Sequence, residues 1–144
     1  MRCRAVRRLM RMLGRRGAIL LSYGTVWALV GYAQLVTPQP QQPGLHLALD
    51  LLPLQVWGWL WIVAGLIALV TAWLPQGADW AGFLALPLIV LPWWLSYLTA
   101  WLQGDFPRGW VAAVVWAAIA FPVLVVAGWR EPARVKRVRV DDGR

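Results

Sequence analysis

The chain has 144 residues, of which 60% are hydrophobic and only 14% charged, well under the roughly one quarter charged in soluble domains. Its net charge of +8 would suit a nucleic acid if it covered a surface, but it sits at the two ends. Thirteen of the fourteen basic residues are arginine, and only Arg108 lies between the two basic ends. A membrane surface therefore accounts for the charge better than DNA or RNA does, since anionic headgroups attract juxtamembrane Lys and Arg by about 1 kcal/mol each.

Residues 1–16 form a basic segment, with Arg7, Arg8, Arg11, Arg15 and Arg16 as candidates for the lipid surface. Cys3 is the only cysteine, so neither an internal disulfide nor a paired thiol site can form. The run 17–36 then carries no charge over a length that crosses about 30 Å of hydrocarbon as a helix. A basic start before an apolar run also describes a secretory leader, with Gly31-Tyr32-Ala33 at cleavage spacing. The length of the run and its Tyr and Trp content favour a retained span.

Residues 37–56 open with a Pro/Gln stretch and continue as LHLALDLLPLQV, apolar but too short to cross. On a helix, Leu45, Ala48, Leu49 and Leu52 share one face and His46 and Asp50 another. Two readings stay open: a short interfacial helix, or an extension of the second span past a kink at Pro53.

Uncharged runs at 57–74, 80–102 and 109–129 complete four predicted spans, joined by turn-rich breaks at 75–79 and 103–108. Continuous rather than alternating apolarity selects helices over strands, so the expected fold is an all-α bundle of four transmembrane helices. Small residues recur every fourth position at Ala64, Ala68 and Ala72, and again at Gly109, Ala113 and Ala117. These are the candidate helix-packing faces, within one chain in preference to between chains. Pro87, Pro92 and Pro122 interrupt helix hydrogen bonding inside the third and fourth runs.

Of twelve tryptophans, Trp57, Trp59, Trp61, Trp73, Trp80, Trp101, Trp110 and Trp129 fall near span ends, as an interfacial aromatic belt requires. Trp27, Trp93, Trp94 and Trp116 lie deeper, for packing or lipid contact rather than as a cofactor platform. The tail 130–144, with Lys136 and Arg137 as further lipid-surface candidates, alternates valine with basic residues. Basic residues gather on the cytoplasmic side, and an even number of spans puts both ends there.

Chemistry-bearing patterns are sparse. There is no metalloprotease or nucleophile-elbow motif and no phosphate-cradling loop, and His46 has only Asp50 as an acidic neighbour. No catalytic, metal or cofactor residues are assigned, and no small-molecule substrate is evident. A charge at mid-membrane costs at least about 2.5 kcal/mol and is kept where transport needs it; the predicted spans contain none. Stretches such as VWGWLWIVAGLIALVTAWL and PRGWVAAVVWAAIA, in a chain with basic ends and four tryptophan-flanked spans, resemble small multispanning membrane proteins encoded by actinobacterial phages. Some of those are holin-like, which implies oligomerisation and permeabilisation of the host cytoplasmic membrane.

The expectation is therefore a non-enzymatic multi-pass protein of a bacterial cytoplasmic membrane, working by helix packing or assembly as an accessory or scaffold component. A holin-like pore former is the alternative, and a small transporter or intramembrane enzyme comes third. Expected partners are anionic lipids and either further copies of the chain or another membrane protein.

Overall fold

The computed structural model describes residues 2–39 and 42–129, with side-chain surroundings from residue 14 onward. Five helices follow one another, and the described residues contain no strand: α1 (Arg2–Val36), α2 (His46–Leu51), α3 (Leu54–Thr71), α4 (Trp80–Leu102) and α5 (Gly109–Ala127). Four are long and apolar enough to cross a membrane, the first of them over Gly14–Val36. At 1.5 Å per residue the shortest of these, α3 with 18 residues, spans about 27 Å. Large apolar side chains face outward on every span, among them Leu29, Val70, Leu88 and Phe121, each more than half exposed. Contiguous apolar surface on that scale, on helices of this length, suits a hydrocarbon surround.

The four long helices run up, down, up and down, with α3 packed between α1 and α4 and α5 resting on α4. The start of the first span and the end of α5 thus lie at one end of the bundle. Opposite it are α2 and the loop joining α4 to α5. Without a hydrophobic force between helices in lipid, close backbone approach and dispersion must hold them. The α1–α3 seam achieves this with glycine. A Cβ added at Gly65 would lie 2.6 Å from Gly24 O, and one added at Gly24 would lie 2.8 Å from Gly65 O. Gly31 meets Gly58 in the same way. Both pairs are spaced seven residues apart, two helical turns, and in opposite directions along the chain, the register of an antiparallel pair.

One tryptophan from each spanning helix meets at the centre. Trp61 of α3 lies 5.3 Å from Trp27, 5.6 Å from Trp93 and 5.7 Å from Trp116, centroid to centroid. Tilted and edge-on ring pairs of this kind contribute about 0.5–1.5 kcal/mol each beyond their buried area. Trp27 Nε1 also donates to Leu86 O at 3.1 Å, tying α1 to α4. Trp61 is therefore fully buried and does not belong to the aromatic belt expected from its position along the chain. Trp57 is buried as well, its Nε1 donating to Ala48 O at 2.8 Å. Trp59, Trp73, Trp80, Trp101, Trp110 and Trp129 are exposed near helix ends, as a belt requires.

Of the two readings for residues 45–56, a separate short helix is observed, together with an early start of the span at Leu54. Extended backbone at Leu52 and Pro53 divides them. Leu45 and Ala48 of α2 are buried while His46 and Asp50 face out. The α2 amide of Ala48 has no partner within so short a helix, and Ser96 Oγ of α4 accepts it at 2.8 Å. Ahead of it, Gly44 takes a positive φ of 88° against the Tyr97 ring, a conformation costly for residues with a side chain. α3 stops at Thr71 and α5 at Ala127, both short of the expected 74 and 129. α4 runs 80–102 as expected, through Pro87 and Pro92, and α5 runs through Pro122.

Candidate functional site

Two polar features interrupt the apolar interior, one at each end of the bundle. The first is built around Arg16, which opens the first span just past Gly14, where a φ of 71° interrupts α1. Its guanidinium forms a fork with Asp79, Nε to Oδ2 at 2.8 Å and Nη2 to Oδ1 at 3.1 Å. On its other edge Nη1 donates to the carbonyls of Val126, Ala127 and Trp129 at 2.8–2.9 Å. Phe83 lies beneath, its centroid 4.4 Å from the guanidinium carbon.

Each contact suits the helix end it meets. Asp79 precedes α4, where the helix dipole favours negative charge, and the carbonyl end of α5 favours positive charge. Gly77 N also donates to Asp79 Oδ1 at 3.1 Å. Burial raises the Asp79 carboxyl, but the Arg16 hydrogen bonds, the Gly77 amide and the Arg16 charge together outweigh it, and the group is held below its ordinary value. One arginine thereby joins the start of the first span to the α3–α4 turn and the end of α5.

This corrects the placement of Arg16 among headgroup-binding residues: it is 8% exposed and saturated by protein acceptors. Arg15 beside it is exposed. Arg7, Arg8 and Arg11 lie on the helical stretch before Gly14, of which the backbone alone is described. Lys136 and Arg137 lie outside the described residues.

The small-residue faces are used inside the chain, with one exception. Ala64, Ala68 and Ala72 are buried, as are Gly109 and Ala113. A Cβ at Gly109 would lie 2.6 Å from Tyr97 O, so this face is where α5 closes on α4. Ala117 is exposed and borders an apolar groove between α4 and α5; it does not share the buried face expected for it.

The second polar feature is an open cleft of about 340 Å³ at the opposite end. Trp93, Tyr97 and Trp116 form its aromatic wall, and Val30, Ala33 and Leu54 its aliphatic one. Gln34 reaches it from the last turns of α1, with Gln39 and Gln42 from the following loop. Among the described residues, Gln34 Oε1, Trp93 Nε1 and Trp61 Nε1 are buried without a hydrogen-bond partner, and the first two belong to cleft-lining residues. The sequence pointed at neither feature. In the sequence Gln34 is one polar residue of a span, and the available signal is an amide in the last turn of that span beside a glutamine-rich loop.

Among the described residues no three His, Cys, Asp or Glu side chains gather as a metal site. His46 and Asp50 are exposed on α2. Compared with protein-family models, curated proteins and solved structures, the chain matches none.

Proposed function

We propose that this chain is a non-enzymatic integral protein of a bacterial cytoplasmic membrane, with both termini cytoplasmic, acting as a compact accessory or scaffold component. The Arg16 clamp carries the reading. Among the described residues the buried charged side chains are Arg16 and Asp79, and each satisfies the other instead of facing a substrate path. Proton-coupled transport and acid–base catalysis use an ionisable group free to change partners, and this arrangement favours rigidity instead. At the clamp end the chain enters the first span from one arginine-rich segment of the sequence and leaves α5 toward the other, which supports its placement on the cytoplasmic side.

A pore former that assembles through stripes of small residues needs those stripes exposed. Burial of Ala64, Ala68, Ala72 and Ala113 within one chain favours the accessory role over a holin-like one. The two separate on inducible expression in a bacterial host with membrane potential followed in time. A steady potential at high membrane abundance is expected, with Ala113→Leu reducing the amount of folded protein and Ala117→Leu leaving it unchanged. Abrupt depolarisation, abolished by Ala117→Leu at undiminished abundance, would establish the pore instead.

A further inference from the structure

We infer that residues 2–13, the helical stretch before Gly14, form a surface anchor that turns out of line with the first span and lies along the headgroups of an anionic bilayer. The inference rests on the membrane placement in the reading above, and neither on the accessory role nor on which side the termini face.

Three observations carry it. The first is register. At 100° per residue around this helix, Arg4, Arg7, Arg8 and Arg11 fall within about 100° of one another. Ala5, Val6, Leu9, Met10, Met12 and Leu13 occupy about 160° on the other side, and the two sectors do not overlap. Arg2, at the first helical position, is the one basic residue on the apolar side. The second is the break. Gly14 has φ 71° and ψ −177°, a conformation open to glycine and essentially closed to other residues, and it stands where the apolar span begins. The helix therefore does not run straight on from the span. The third is the tether. Arg16, two residues further, is bonded to Asp79 and to the end of α5, so the stretch starts from a fixed point at the bundle end. At 1.5 Å per residue it reaches about 18 Å, roughly two Debye lengths at physiological salt, which keeps its charges near the field of the headgroups.

The membrane interface supplies both of the surroundings that such a helix calls for, anionic headgroups on one side and acyl chains on the other. A nucleic acid would satisfy the arginines and leave the apolar sector in water. A solvated tail would need no segregation at all.

The test places single cysteines at positions 4 to 13 of the full chain, with Cys3→Ser at every position, and labels each with an environment-sensitive fluorophore. The protein is reconstituted in vesicles of phosphatidylcholine with and without phosphatidylglycerol, which present the same lipids on both faces. With phosphatidylglycerol, labels at 5, 6, 9, 10, 12 and 13 should shift to the blue and be quenched by nitroxide-bearing lipid, and labels at 4, 7, 8 and 11 should stay aqueous. Without it, or at high salt, the label at Leu9 should move toward water. Each Arg→Gln change at 4, 7, 8 or 11 should lower the ratio of surface-bound to solvated helix about fivefold. Gly14→Ala disfavours the break and should draw the Leu9 label out of the lipid; should that variant fail to fold, the arginine series carries the test. Aqueous labels at every position would overturn the inference in favour of a solvated helix. Shielding from water without quenching by lipid would overturn it in favour of packing on protein, and an equal pattern in neutral vesicles would remove the anionic headgroups from it. A pattern unchanged by Gly14→Ala in folded protein would overturn the role given to the break.

Discussion

Arg16 Nε lies 2.8 Å from Asp79 Oδ2 across 63 residues of chain, and the pair is 9% and 5% exposed. Because the same guanidinium takes three carbonyls from the end of α5, the pair fixes the relative positions of three segments that the connecting loops alone would leave free.

The pair makes stability depend on acid. Asp79 is held below its ordinary value, so its contribution is complete above the carboxyl's unfolded value, about 3.9, and is lost as pH falls through the lower folded one. In detergent the unfolding temperature should stay level in this respect from pH 7 to about 5 and fall below about 4. Asp79→Asn should lower it at pH 7 and flatten the decline.

The glycine seam tolerates no side chain. With Gly24 O only 2.6 Å from a Cβ at Gly65, Gly65→Ala forces α1 and α3 apart and should cost about 1–3 kcal/mol. Gly31→Ala, against Gly58 O, should act similarly. Gly77→Ala tests something different, since open space surrounds that position and only its φ of 97° resists a side chain. Denaturant unfolding of the three variants should show loosened packing, as a reduced dependence on denaturant, for the first two alone.

The spans were legible because continuous apolarity needs no tertiary information, and the buried face of Ala64, Ala68 and Ala72 because its period matches the helix. Arg16 was not. It is one of seven arginines within residues 1–16, and only the arrival of Asp79 and the end of α5 distinguishes it from Arg15. Trp61 was misplaced for a related reason: nearness to a span end was read along the chain, whereas burial depends on which side of α3 a residue occupies. Trp59 and Trp61 differ by two residues, about 200° around the helix, and one is 61% exposed while the other is 0%. The paired glycines carried a readable signal in their shared seven-residue spacing, but their pairing depended on α1 lying against α3.

Ser96 holds the short helix to the bundle. Its hydroxyl accepts from Ala48 N and donates to Pro92 O at 2.9 Å, so Ser96→Ala leaves a buried amide unpaired at about 1–3 kcal/mol. With Cys3 replaced by serine and cysteine placed at Leu45, fully buried in the parent, a water-soluble maleimide should label the Ser96→Ala background several times faster. Equal labelling would mean that the apolar face of α2 and the Trp57 bond to Ala48 O hold it without Ser96.

The account rests on Arg16 and Asp79 acting as a pair, and a double-mutant cycle isolates that pair from the carbonyl contacts Arg16 makes elsewhere. Unfolding free energies of the parent, Arg16→Met, Asp79→Leu and the double variant should give a coupling of about 2 kcal/mol, with each single change costing more than the interaction it removes. A coupling below about 0.5 kcal/mol, the level of independent sites, would contradict the clamp.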